Sequence, residues 1–262
     1  MLKDFFIQEI DQKKDIKTRK SVYIFNFLLL CSILGTLFYV MFTNISYDFY
    51  WKNIYEYKQK FIDGFLVTIY ISSFALLLSL IIGTIFAYGQ NSKFILVRFF
   101  SKFYIEIIRG TPLLVQILIF FYIFANNLGF NNRYVVGVVI LSMFAGAYVS
   151  EIIRAGIKSI DKGQYESAKS LGFTPAQSYM YIIFPQAYKR MLPPLTGQFA
   201  TIIKDSSLLS IISISEFTMN AQEVNAFTYS TLESYIPLGL GYLTLTYPIS
   251  YYAHKLEKKM KD

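Results

Sequence analysis

The 262-residue chain has one cysteine, one histidine and one tryptophan, and only 16% of its residues are charged, against roughly 25% in an ordinary soluble domain. A single thiol excludes an intrachain disulfide and a cysteine-based zinc site. The lone His254 leaves little for histidine-dependent catalysis. An integral-membrane enzyme would need clustered histidines, paired acids or a nucleophile beside a base near one membrane face. Nothing of that kind stands out, so the chain is not expected to be an enzyme and no metal site is expected. The G-x-x-x-x-G-K-[ST] phosphate loop is also missing, so the chain is not expected to hydrolyse ATP itself.

What is present is apolar. Hydrophobic residues make up 54% and aromatics 18%, with 25 Phe and a mean hydropathy of +0.41. This argues against disorder and against a surface that water could wet. Charge-free runs cover Ser21–Tyr47 (27 residues), Gly64–Ser92 (29), Gly110–Asn132 (23), Tyr134–Ser150 (17) and Ser234–Ala253 (20). A helix needs about 20 residues to cross a bilayer. Met191–Ser215, broken only by Lys204 and Asp205, gives one more. Lipid offers backbone groups no partner and the runs are too long for barrel strands. The expected fold is an all-α integral membrane bundle of six transmembrane helices. The first run follows a 20-residue, partly acidic leader, exceeds the apolar length of a signal peptide and has no A-x-A site. It is expected to stay as an N-terminal anchor over 21–47, behind a cytoplasmic segment 1–20.

Cytoplasmic loops carry the excess of Lys and Arg. With the N-terminus inside, the inner segments 1–20, 89–109, 151–190 and 255–262 hold 20 of the 25 basic residues, and the outer ones hold Lys52, Lys58, Lys60 and Arg133. The net charge of +8 is thus topological, and nucleic-acid binding is not expected. Both termini are placed in the cytoplasm of a multi-pass protein, the second as a basic tail 255–262. Tyr47, Tyr50, Trp51, Tyr55 and Tyr57 fit an outer aromatic belt. Small residues recur every fourth position as Ala75, Ser79, Gly83 and Ala87, and as Ser142, Gly146 and Ser150. That spacing suits close helix packing and equally a face that lines a path.

The inner connection 151–194 carries two helix starts. Asp161 with Gln164 resembles a capping box, and Gly172 sits where a left-handed C-terminal residue belongs. Thr174, Pro175 and Gln177 form a second start, with Pro185 as the expected stop. The first helix could dock a partner or rest on the bundle end.

Here the residues become recognisable. Glu166-Ser167-Ala168, three residues, Gly172, and then Ile182-Ile183-Phe184-Pro185 resemble the E-A-A-x-x-x-G, I-x-L-P signature of membrane permease subunits of bacterial ABC importers. Arg109-Gly110-Thr111-Pro112, Tyr148 with Glu151 and Arg154, Ser159-Ile160 with Gly163-Gln164, Pro185-Gln186-Ala187 and Lys204-Asp205-Ser206-Ser207-Leu208 narrow this to polar amino acid permeases of the histidine and glutamine type. The resemblance spans about residues 61–254, a five-helix permease core. Departures are Ser167 and Ser150 where the family favours Ala, Phe184 for Leu, Gly197 for Asn and Ser206 for Thr.

The resemblance implies two permease copies, or this chain with a sister permease, in the bacterial cytoplasmic (inner) membrane. Two ATP-binding subunits would lie beneath, holding ATP and Mg, with an extracytoplasmic amino acid-binding protein above. No cofactor is expected in this chain, and membrane lipid is its surrounding partner. The resemblance also implies that the loop 151–194 couples ATPase closure to alternating access, through Gly163, Gln164, Glu166, Ser167, Ala168, Gly172 and Pro185. Candidate path residues are Lys204, Asp205, Ser206, Ser207, Gln116, Arg109, Glu151 and Arg154. Intramembrane charge at Lys204 and Asp205 borders a path or forms an internal ion pair with Glu151 or Arg109. Glu151 and Arg154, one turn apart, could simply pair with each other. Arg109 also reads as an interfacial anchor, and Glu216, Glu223 and Glu233 as solvated loop carboxylates. An ion-coupled secondary transporter is the rival, though no internal repeat is evident and the capped inner loop has no role in it.

Overall fold

The computed structural model describes residues 20–43, 47–125, 127, 129, 130 and 132–261. Of the cytoplasmic segment expected at 1–20, all but Lys20 lies outside the described residues. Every regular element among the described residues is helical. The chain divides into two units, residues 1–49 and 50–262.

In the first unit, α1 (Lys20–Thr43) is apolar all round, and its stretch Lys20–Met41 is 22 residues long, about 33 Å at 1.5 Å per residue. Its hydroxyls bond back along the helix, Thr36 Oγ1 to the Ser32 carbonyl at 2.9 Å and Thr43 Oγ1 to that of Tyr39 at 2.9 Å. Back-bonding of this kind lets a polar residue sit in hydrocarbon.

The second unit opens with α2 (Trp51–Glu56) and the 32-residue α3 (Lys58–Gly89). Then come α4 (Ile95–Gly110), α5 (Leu113–Ile119) running into a π turn at Phe120–Ala125, and α6 (Arg133–Lys158). The connection after α6 forms α7 (Lys162–Ser170) and α8 (Pro175–Gln177). A π turn at Ser178–Ile183 carries α8 into α9 (Phe184–Asp205), which tightens to a 3₁₀ helix at Ser206–Ile212. On the far side lie α10 (Phe217–Thr228) and α11 (Thr231–Lys261).

The bundle is centred on α3 against α6. The small residues foreseen on both helices are buried and let the backbones touch. A Cβ at Gly83 would meet Val149 Cγ1 at 2.4 Å, and one at Gly146 would meet Ile82 Cγ2 at 2.7 Å. These faces serve packing. Ile71, Ile117, Leu141, Leu209 and Ile214 complete the central core.

The 111° bend between α4 and α5 falls at the very start of the 110–132 run, where Thr111 and Pro112 are extended and proline supplies no amide to continue the helix before it. Most of the connection 89–109 is helix α4 itself. Two expectations need correction. First, Pro185 does not stop the chain's helix. The π turn in front of it widens the spiral and accommodates a residue without an amide. Second, the segment after residue 215 is folded, with α10 packed on α3 and α11. The count of six spans is not reproduced by length and apolarity alone: Lys20–Met41, Lys58–Gly89 and Arg133–Lys158 qualify, with the bent pair as a fourth.

Candidate functional site

Two features and one further network collect the residues singled out from the sequence. The first is the loop. Asp161 caps α7 by accepting from the Gly163 amide at 2.6 Å, but Gln164 does not reach back to close a box. Its Oε1 instead accepts from Gln186 Nε2 of α9 at 3.3 Å. Gly172 has φ +83°, the left-handed turn that only glycine adopts freely. Thr174 and Gln177 form a complete capping box. On α7, Ala168 is buried, while Glu166 and Ser167 face solvent and Leu171 is 75% exposed.

Behind α7 the loop is clamped to the bundle. Ile160, Ile183, Ala187 and Met191 form a small core of their own, and Arg190 donates to the Ser159 carbonyl. A Cβ at Gly156 would lie 2.1 Å from Met191 Cγ, so α6 and α9 cross at closest approach here. The Tyr88 and Tyr179 hydroxyls meet at 2.8 Å and tie α3 to the same element. Burial, reinforced by Tyr88, raises the Tyr179 phenol above its ordinary range.

The second feature is Glu151. Its carboxylate accepts from Arg154 Nε at 2.8 Å and Nη2 at 2.6 Å, and from Gln90 Nε2 at 3.1 Å. Arg109 Nη1 stands 3.4 Å away, and its guanidinium lies 5.4 Å from the centre of the Tyr148 ring. Three of the named residues, Arg109, Glu151 and Arg154, are thus one cluster joining α3, α4 and α6. Gln116 is buried at the elbow: its Nε2 lies 2.7 Å from the Ile108 carbonyl and 3.1 Å from that of Thr111. It occupies carbonyls that the end of α4 leaves open.

Lys204 and Asp205 end α9 just as it becomes 3₁₀. Glu151 pairs with Arg109 and Arg154, and among the described residues no ion pair joins Lys204 or Asp205 to Glu151 or Arg109. Ser206 and Ser207 turn their hydroxyls back onto the Ile203 and Lys204 carbonyls at 2.8 and 2.7 Å. The structure therefore does not bring the Lys204–Asp205 pair into the Glu151 cluster.

The carboxylates Glu216, Glu223 and Glu233 are not solvated loop groups. Glu216 is fully buried, caps α10 through the Thr218 and Met219 amides at 2.8 Å each and accepts from Tyr242 at 2.9 Å. Glu233 is also fully buried and accepts from the Tyr50 amide at 2.5 Å, while Glu223 pairs with Lys60. Glutamate is not among the side chains that usually cap a helix, so no local signal in the sequence marked Glu216 for this role.

The chain resembles known proteins along most of its length. The family described as binding-protein-dependent transport system inner membrane component matches residues 75–262. The probable glutamine ABC transporter permease GlnM of Bacillus subtilis is 35% identical over 208 residues, 79% of this chain and 96% of that protein. The glutamine transport system permease GlnP of Escherichia coli K12 is 34% identical over 218 residues, 82% and 99% of the respective chains. A crystal structure of an amino acid ABC transporter with histidines superposes at a TM-score of 0.75 with 35% identity, covering 82% of this chain and 100% of the other. An inward-facing methionine transporter, MetNI, shares the fold at a TM-score of 0.63 and 13% identity, covering 77% and 96%.

Proposed function

Because the chain belongs to the family of binding-protein-dependent transport system inner membrane components, and is the permease component of an amino acid ABC importer, we propose that it moves polar amino acids into the cytoplasm by alternating access driven from outside the chain. ATP and Mg are bound by a pair of ATPase subunits under the loop 151–194. An extracytoplasmic binding protein delivers the substrate, and a second permease, identical or sister, completes the pathway. Both termini lie in the cytoplasm.

The observation that carries the coupling is the build of the loop. Helix α7 exposes Glu166 and Ser167, Gly172 turns the chain in a left-handed conformation, and the back of the loop is bolted to α6 and α9 through Met191, Ile183 and Arg190. A push on α7 is delivered to two long helices at once, which is the geometry a rigid-body switch requires. Gly163, Gln164, Ala168 and Pro185 hold that shape. Lys204 and Asp205 with Ser206 and Ser207 border the route; Arg109, Glu151 and Arg154, with Gln116 at the elbow, bound its inner end.

Radiolabelled amino acid uptake into proteoliposomes tests this reading, with ATPase, binding protein and internal ATP added or withheld. Accumulation that needs every component is expected, and the label that accumulates names the substrate. Uptake by this chain alone under an ion gradient would replace ABC import with secondary transport.

A further inference from the structure

Helix α4 presents three faces at about 100° per residue. Ser101, Ile105 and Ile108 are buried against the bundle. Arg98, Lys102, Glu106 and Arg109 form a second, net basic stripe, and Leu96, Phe99, Phe100, Phe103 and Ile107 form a third that is 44–79% exposed. A helix crossing the bilayer has no use for a polar stripe of this length, whereas a helix lying at the boundary needs all three.

Its depth is set by neighbours. Ser101 Oγ sits where a Cβ on Gly89 would be, 2.3 Å away, and Arg109 reaches Glu151 at 3.4 Å. Gln90, next to Gly89, bonds Glu151 directly, so the Ser101 and Arg109 ends of α4, eight residues apart, both meet the same end of the bundle. The 111° bend agrees, placing α4 about 21° from the plane perpendicular to α5.

We propose that α4 is an interfacial helix whose apolar face lies among acyl chains and whose Arg98 and Lys102 hold anionic lipid headgroups of the inner leaflet. The occupant follows from charge complementarity: the basic stripe borders the apolar face, and Arg109 is already engaged with Glu151 while Arg98 and Lys102 are exposed. The leaflet rests on the orientation proposed above; the depth does not, and neither depends on which substrate is carried.

Spin labels at Leu96→Cys and Ile107→Cys, in a Cys31→Ser background of the full chain in nanodiscs, measure depth by power saturation with oxygen and a nickel chelate. The two sites are eleven residues apart, about 16 Å along the axis. With α5 along the membrane normal, the bend tilts α4 by about 21° from the membrane plane and puts the two sites within about 6 Å of one depth. A depth difference near 16 Å would mean a crossing helix and would overturn the proposal. Labels reached by neither reagent would mean that a second copy covers the face, which also overturns it. In discs of phosphatidylglycerol with phosphatidylcholine, native mass spectrometry should show retained phosphatidylglycerol. R98Q and K102Q should each lower that preference about fivefold. An unchanged preference in the double variant, with unchanged melting, would remove the headgroup role. Uptake does not enter either readout, so loss of the transport reading leaves this one standing and the converse also holds.

Discussion

Gly156→Ala is the sharpest probe of how the inner loop is fastened. The new Cβ would stand 2.1 Å from Met191 Cγ, 3.0 Å from its Sδ and 3.5 Å from the Ala187 carbonyl. The first is the middle of a side chain that is only 5% exposed, so α6 and α9 must part or Met191 must leave its rotamer. Overpacking of this kind costs about 1–3 kcal/mol, and Met191→Ala alone costs about 2–5 kcal/mol through the cavity it opens. In the double variant the added methyl occupies space that the methionine vacates. Its cost should therefore fall about 1–3 kcal/mol short of the sum, a coupling typical of side chains in contact. Thermal unfolding midpoints of the four proteins in one detergent give the cycle. The uptake rate should drop for Gly156→Ala and recover in part in the double variant, since the same crossing transmits the loop's motion. Single costs that add to within about 0.5 kcal/mol, the tolerance expected of independent sites, would refute the close crossing and the bolted-loop argument with it.

Other outcomes follow from single sites. Gly172→Asp forces a side chain into φ +83°, a local strain of about 1–3 kcal/mol; the protein should still insert while uptake is lost, and normal uptake at normal abundance would remove Gly172 from coupling. Glu216→Ala strips α10 of its buried cap and Tyr242 of its acceptor, so stability should fall by about 2 kcal/mol, at the upper end for such caps; an unchanged melting midpoint would show that the cap is dispensable. Lys204→Met and Asp205→Asn should each reduce transport, measured as rate and apparent affinity in proteoliposomes; wild-type values for both would take them off the route.

The charge-free runs located the long apolar helices Lys20–Met41, Lys58–Gly89 and Arg133–Lys158 because lipid forbids an unpaired charge as firmly as it forbids an unpaired amide. Gly83 and Gly146 were legible for the same reason: in lipid, close approach needs small residues at fixed spacing. The capping signals at Asp161, Gly172 and Thr174 are local and were readable as such. Helix α4 was not, because its three faces mix Arg, Lys and Phe in a proportion that reads as connection until the bend at Thr111-Pro112 is seen. The burial of Glu216 depends on Tyr242, 26 residues away, and no local pattern announces a partner at that distance. The Glu151 cluster was half visible. Arg154 lies one turn on, whereas Gln90 is brought in by the fold, 61 residues distant in sequence.

The π turn at Ser178–Ile183 has a bearing on direction as well as continuity. A π turn holds one residue more than the α spiral it replaces, and one residue is worth about 100° of rotation about the axis. Six residues at the wider π pitch sweep about the same angle as five in an α turn. Deleting a single residue there would therefore return the turn to the α spiral with Lys204 and Asp205 still facing as they do now, whereas a deletion in the regular spiral farther along α9 would turn the pair by about 100° relative to α7. The six-residue turn thus stores one residue of slack between the part of the chain a partner would push and the charged pair at the far end of the same helix.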